Sequence, residues 1–265
     1  MTRRCAVLGS PITHSLSPAM HRAAYVDLGL DWTYDAVELT EDSLPGFLAG
    51  LDDTWRGLSV TAPLKRALVG LLDDVSDDAA FLGVANTVVI GEQRVGFNTD
   101  VPGAVGALRE AGLTTVGSAR ILGGGATAAS MLLALGRLGL QEVEVVVRDV
   151  ARAAEVVDVA RRCGIAATTT SFGPGPRADV DVLVSTVPAA AVDPGHALTS
   201  RYVFDAVYDP WPTPLASAAA DRGVPVVSGL DLLAHQAALQ VHLMTGCTVR
   251  PALLRDAALG ALTGR

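Results

Sequence analysis

An α/β fold in two parts is predicted by three features of the 265-residue sequence. Short apolar runs alternate with helix-like segments, a glycine-rich turn joins a strand to a helix, and the pattern changes character near residue 101. The first part spans residues 1–101 and is completed by C-terminal helices over 230–265. The second part, residues 102–229, reads as a doubly wound parallel sheet.

The elements follow in order. Cys5 to Gly9 is a short apolar strand that ends in Gly-Ser-Pro. Ser17-Pro18 opens a helix, with Ser17 expected as its cap. Trp32 to Leu39 alternates as a strand, and Ser43 to Leu51 is a short helix, with Ser43 the expected cap. Leu58 to Thr61 is a strand closed by Pro63. Val88–Ile90 and Val95–Phe97 flank Gly91-Glu92-Gln93-Arg94, which predicts a hairpin. Beyond Pro102, Val105 to Ala111 is helical, Ala119 to Leu122 is a strand, and Thr127 to Leu138 is a helix of small residues and leucine. Val143 to Val147 is a strand and Ala151 to Cys163 a helix. Val180–Val184, Tyr202–Val207 and Val224–Val227 are further strands, and Phe172 to Pro176 is a loop. A long apolar helix over Leu230–Thr245 and a shorter one from Pro251 close the chain.

Half the residues are hydrophobic and 18% are charged, enough to bury a large core. The mean hydropathy of +0.38 is high. Yet the uncharged stretch from Ile121 to Gly136 contains four glycines, a Thr and a Ser, and is too short to span a bilayer. The Met-Thr-Arg-Arg start, whose apolar run stops at Pro11 and His14, predicts no signal peptide. A net charge of −8 without a basic block predicts no nucleic-acid surface. Cys5, Cys163 and Cys247 are too few and too dispersed for a disulfide framework, which predicts a reduced, cytoplasmic protein. The five histidines form no i,i+4 pair and have no nearby cysteine, so no metal site is expected.

Gly123, Gly125 and Ala128 form a G-x-G-x-x-A turn directly after a strand and at the start of a helix. The first glycine permits the tight turn, the second lets a pyrophosphate approach the backbone, and the small third residue lets helix and strand pack closely. The helix N-terminus offers amide groups and a partial positive charge to phosphates. This is a Rossmann-like dinucleotide-binding pattern. The next strand ends Val147-Arg148-Asp149, with Arg152 one turn beyond. Arginines at this point suit the 2′-phosphate of NADP, whereas an acid suits the 2′-hydroxyl of NAD. The sequence carries both, and the two arginines favour NADP.

Of the 20 basic side chains one is a lysine, Lys65, and the other 19 are arginine. Lysine can lose its proton near neutrality when desolvated and arginine cannot. Lys65 follows Ser59-Val60-Thr61-Ala62-Pro63-Leu64 at a strand end. Polar clusters also follow glycine at Gly83-Val84-Ala85-Asn86-Thr87 and Gly96-Phe97-Asn98-Thr99-Asp100, and His14-Ser15-Leu16-Ser17 places two hydroxyls in a turn. Taken singly, Asp100 could be a helix cap, Gln236 a helix-face amide and Tyr208 an interface aromatic.

Together these segments resemble the shikimate dehydrogenase family. Gly9 to Pro18, Val60-Thr61 with Pro63 and Lys65, Ala85-Asn86-Thr87, Asn98-Thr99-Asp100, the Gly123 turn, Tyr208 to Leu215, and Ser228-Gly229-Leu230 leading to Gln236 occur in family order over nearly the whole chain. The Tyr-Asp-Pro-Trp-Pro-Thr-Pro-Leu run is most similar to the actinobacterial branch. The resemblance implies NADP-dependent interconversion of 3-dehydroshikimate and shikimate, in aromatic amino-acid biosynthesis. It implies Lys65 and Asp100 as the catalytic pair. Ser15, Ser17, Thr61 and Tyr208 would bind the substrate carboxylate, and Asn86 and Gln236 its ring hydroxyls. Gly123, Gly124, Gly125, Ala126 and Thr127 would hold the pyrophosphate, Arg148, Asp149 and Arg152 the adenosine end. Ser185 and Thr186 would sit beside the dinucleotide, and Gly229 would approach the nicotinamide.

Three segments depart from the family pattern. Ser59 stands where Asn is common, Ala126-Thr127 where Gly and Ala are common, and Val147-Arg148-Asp149 replaces Asn-Arg-Thr. Quinate-using relatives that accept NAD share the overall pattern, as would an aminoshikimate-type enzyme. A non-catalytic sensor of dinucleotide and cyclic acid is the reading from another class, and the joint presence of Lys65 and Asp100 argues against it. A homodimer is compatible with the sequence.

Overall fold

The computed structural model describes residues 2–173 and 178–264. The expected loop over Phe172–Pro176 therefore lies outside the described residues from Pro174 onward. The chain divides into two compact units, residues 1–99 with 233–265, and residues 100–232.

The first unit holds strands β1 (Arg3–Gly9), β2 (Trp32–Glu38), β3 (Trp55–Val60), β4 (Asp74–Val75), β5 (Thr87–Ile90) and β6 (Arg94–Phe97). They form one mixed sheet in the order β2-β1-β3-β5-β6-β4. β1 runs parallel to β2 and β3, while β5 and β6 form the antiparallel hairpin that Gly91 to Gln93 turn. Helices α1 (Ser17–Asp27), α2 (Leu44–Ala49) and α3 (Asp77–Leu82) belong to this unit, as does α9 (Pro251–Thr263). Leu8, Leu58, Leu64, Leu68 and Val88 are buried together with Leu44 and Leu48 of α2.

One expected cap is displaced and the other makes no cap bond. Ser17 lies inside α1, whose N-cap is Leu16 without a side-chain bond, and Pro18 falls in the first turn. The Ser17 carbonyl is taken by the His21 ring 3.0 Å away. Ser43 stands at the N-cap position of α2 as expected but makes no side-chain cap bond: its hydroxyl turns back to the Thr40 carbonyl at 3.0 Å. Ser43 thus prefers a local backbone partner, which is the usual competitor to a cap.

The second unit holds α4 (Asp100–Glu110), β7 (Ser118–Leu122), α5 (Ala126–Gly136), β8 (Glu142–Val147), α6 (Ala154–Arg162), β9 (Ala166–Ser171), β10 (Val180–Ser185), β11 (Ser200–Asp205), α7 (Pro214–Ala220) and β12 (Val226–Ser228). All its strand pairs are parallel, in the order β12-β11-β10-β7-β8-β9. This is the doubly wound order whose direction of winding reverses between β7 and β10, where ligands bind at the carboxyl ends of the strands. Helix α8 (Gly229–Thr245) starts in this unit and continues into the first.

Arg120 on β7 is fully buried. Its guanidinium donates to Glu144 of β8 at 2.5 Å, to the Thr199 hydroxyl at 2.9 Å and to the Ala178 carbonyl at 2.9 Å. One side chain thus ties two strands to the segments that flank β10 and β11. Among the described residues no helix is long and apolar enough to cross a membrane.

Candidate active site

In the second unit the glycine turn sits between the ends of β7 and β10. Gly123 has φ +119°, a conformation that favours glycine. A Cβ on Gly123 would also meet the Thr186 hydroxyl, which itself donates to the Leu122 carbonyl at 3.0 Å. Gly124 is required for a different reason: a Cβ there would overlap the Arg152 carbonyl oxygen. At Gly125 the Cβ direction is open, and this residue caps α5 with no side-chain bond. The first amides of α5, including those of Ala126 and Thr127, are therefore not capped by a side chain. Ala128 is buried where helix and strand pack.

A cavity of about 320 Å³ opens on this turn, lined by Gly123, Gly124, Gly125, Val147, Arg148, Arg152, Phe172 and Val187. Both arginines named from the sequence line it. Asp149 does not: its carboxylate accepts from the Ala151 amide at 3.0 Å and caps the 3-10 turn over Val150–Ala153. The acid is thus engaged in local structure while Arg148 and Arg152 line the cavity. Cradle, uncapped helix start and paired arginines fit a dinucleotide with a 2′-phosphate. Phe172 and Val187 were not foreseeable as lining; only the strand order brings them to the Gly123 turn. Ser185 is fully buried at the end of β10.

At the end of β11, Asp205 is buried and accepts from the Thr213 hydroxyl at 2.6 Å and from the Val207 amide at 3.2 Å. Burial raises its carboxyl above the ordinary range, opposed by these two bonds. Thr213 also caps α7 through the Ala216 amide at 3.0 Å. The segment that carries Tyr208 is pinned at both ends by this pair. Gly229 packs against it, since a Cβ there would overlap the Ala206 carbonyl oxygen.

In the first unit two of the predicted substrate residues, Asn86 and Gln236, belong to one buried polar network. Asn86 Nδ2 donates to Gln236 Oε1 at 3.2 Å. Asn86 Oδ1 accepts from the Thr99 amide at 2.8 Å and the Thr87 hydroxyl at 2.8 Å. Gln240 Nε2 donates to the Thr87 hydroxyl at 3.0 Å and to Gln236 Oε1 at 3.2 Å. Gln240 Oε1 accepts from the Ser59 hydroxyl at 2.9 Å, and Ser59 accepts from the Tyr34 phenol at 2.6 Å. Sequence reasoning named Asn86 and Gln236, and Thr99 as part of the Asn98-Thr99-Asp100 cluster, but missed Gln240 and Tyr34. The available signal was the i,i+4 spacing of Gln236 and Gln240 on an apolar helix.

The other predicted residues are placed as follows. Lys65 is half-buried in the turn after β3, and its carbonyl accepts from the Ala85 amide at 3.0 Å, next to Asn86. The Thr61 amide donates to the Leu8 carbonyl at 2.9 Å. Ser15 accepts from the Ser17 amide at 3.3 Å. Asp100 follows Thr99 directly and is the first residue of α4.

His21 stacks on Tyr34 with ring centroids 4.0 Å apart. Its Nδ1 faces the Ser17 carbonyl, so Nδ1 carries the proton. Burial lowers its pKa from 6.5 to about 4, partly opposed by that bond. In the window between those values the unfolded chain binds the proton and the folded chain does not. Stability therefore falls as pH drops through it, by about 3 kcal/mol from this residue. Urea denaturation at pH 7 and pH 4.5 checks this: the loss between the two is expected to shrink in His21→Phe, which keeps the stack.

The chain thus carries a doubly wound unit, built around a cradle suited to a phosphorylated dinucleotide, and an α/β unit that concentrates amides, hydroxyls and one lysine. These define the class of nicotinamide-dependent oxidoreductases acting on polar substrates. Residues 7–88 match the shikimate dehydrogenase substrate binding domain. An NADP-dependent shikimate dehydrogenase from a strain of Thermus thermophilus is 38% identical over 98% of both chains. The crystal structure of the Mycobacterium tuberculosis shikimate dehydrogenase superposes with a TM-score of 0.89 at 39% identity, covering 97% of this chain and 99% of that one. The shikimate 5-dehydrogenase of a second Thermus thermophilus strain, solved in complex with NADP(H) and shikimate, gives a TM-score of 0.84 at 35% identity, covering 98% and 99%. The chain belongs to the shikimate dehydrogenase family.

Proposed function

We propose that this chain catalyses the reversible, NADP-dependent reduction of 3-dehydroshikimate to shikimate. The observation that carries this reading is the likeness over 98% of both chains to an NADP-dependent shikimate dehydrogenase. When bound, NADPH supplies the hydride that reaches the ketone carbon. Charge then develops on the ketone oxygen, and Lys65 delivers a proton to it, taking one back in the reverse direction. Asp100 accepts from a ring hydroxyl of the substrate beside the carbon that reacts. Ser15 and Ser17, with Thr61 and Tyr208, bind the carboxylate, while Asn86 and Gln236 bind ring hydroxyls.

Residues Gly123 to Thr127 hold the pyrophosphate, with Thr186 beside it and Gly229 at the nicotinamide. Arg148 and Arg152 hold the 2′-phosphate. The cap made by Asp149 supports NADP over NAD, because a carboxylate bound to the Ala151 amide is held off a ribose. Residues 1–101 with 230–265 act as the substrate domain and 102–229 as the cofactor domain. The enzyme works in the cytoplasm and as a homodimer, and its charge of −8 opposes binding to nucleic acid.

The test follows reduced nicotinamide by absorbance, with shikimate or quinate and NADP or NAD. Turnover chiefly with shikimate and NADP is expected. Turnover with quinate and NAD would overturn the assignment, and binding without turnover would make the protein a sensor. Arg148→Ala is expected to raise KM for NADP about tenfold to a hundredfold and to leave KM for NAD nearly unchanged, since one charge-assisted phosphate contact is lost.

A further inference from the structure

The amide orientations in the buried network follow from backbone groups whose roles are unambiguous. The Thr99 N–H can only donate, so the Asn86 atom 2.8 Å from it is Oδ1. Asn86 Nδ2 then points at Gln236, which must offer Oε1 to it. The Asn86 carbonyl can only accept, so the Gln240 atom 3.4 Å from it is Nε2. That nitrogen also reaches Gln236 Oε1. The Thr99 hydroxyl lies 3.3 Å from the same oxygen and 3.1 Å from Asn86 Oδ1, so its single proton is shared between the two amides. Gln236 is thus held with its oxygen inward, and its Nε2 has no hydrogen-bond partner among the described residues. Behind Gln240, Ser59 and Tyr34 complete a chain in which each hydroxyl has one acceptor. Ser59 is 3% exposed and Gln240 1%, so neither reaches a ligand.

We infer that Gln240, braced by Ser59 and Tyr34, is a positioning residue that fixes the Gln236 amide with Nε2 toward the substrate, which obliges the ring oxygen opposite it to accept. This rests on the proposed role of Gln236 in binding a ring hydroxyl. It also explains Ser59, a departure from the family pattern, as the hydroxyl that donates its proton to Gln240 Oε1.

The test is a double-mutant cycle on the full chain with shikimate and NADP. Gln240→Met keeps the side-chain length and removes the donor. It is expected to raise KM for shikimate about tenfold, the worth of a misplaced hydrogen bond, with KM for NADP unchanged and kcat changed less than about twofold. In a Gln236→Ala background the same substitution is expected to raise KM no further, because its effect passes through Gln236. Ser59→Ala should shift KM in the same direction and Ser59→Thr, which keeps the hydroxyl, should restore it; this pair carries the test if Gln240→Met does not fold. A lower Tm with unchanged KM, or an equal rise of KM in both backgrounds, would overturn the inference. If Gln236→Ala itself leaves KM for shikimate unchanged, the ring-binding role of Gln236 fails instead, a result readily told apart from the others.

Discussion

Replacing Lys65 by alanine is expected to lower kcat about 10²- to 10⁴-fold, the usual contribution of a positioned proton donor, while the protein stays folded. The structural reason for the intact fold is specific. Lys65 contacts the β5 side of the unit through its backbone carbonyl, which accepts from the Ala85 amide, and this bond survives the substitution. Its side chain is only half-buried, so little packing is lost. Lys65→Arg should fail to rescue, because a guanidinium keeps its proton across the working pH range. Steady-state turnover in both directions, with circular dichroism and Tm as controls, checks the result. Near-normal kcat in a well-folded Lys65→Ala protein would remove Lys65 from the proton transfer.

The second large effect is on stability. Arg120→Ala is expected to destabilise the 100–232 unit by about 3 kcal/mol, the lower range for breaking a buried ion pair, since Glu144 keeps 22% exposure and part of its solvation. The Ala178 carbonyl and the Thr199 hydroxyl lose a donor at the same time. Glu144 retains the Thr170 hydroxyl at 2.8 Å, which limits the loss. Adding Glu144→Leu to Arg120→Met should recover much of the stability, because a matched apolar pair leaves no buried charge. Urea denaturation of the three variants measures both outcomes, and a change below about 0.5 kcal/mol in Arg120→Ala would show the pair to be energetically idle.

Much of the second unit was legible because its strands are nearly continuous apolar runs, as β8 and β10 show. Strand β9 was missed. Its sequence, Ala-Ala-Thr-Thr-Thr-Ser, has no apolar run, and it is a strand because it pairs with β8 at the sheet edge. Helix α7 was missed because it is short: seven residues do not hold a helix by themselves, and the Thr213 cap and Pro214 start it. Among the candidate site residues, Gly123 to Gly125 stood out because their backbone geometry narrows the choice of residue, and Lys65 because it is the one lysine of the chain. Asp149 was ambiguous, since the same acid can read a ribose or cap a turn, and the bond to the Ala151 amide is set by local geometry.

The sequence by itself determined the alternation of strands and helices, the phosphate-suited turn and the inventory of reactive groups. These depend on residues close together in the chain. Only the tertiary structure decided the strand order β12-β11-β10-β7-β8-β9 and the partners of Ser59, Asn86, Gln236 and Gln240. Ser59 and Gln240 lie 181 positions apart, and no local pattern records that bond. A polar side chain buried among apolar ones must find a partner wherever the fold brings one, so its role becomes readable once the core has assembled.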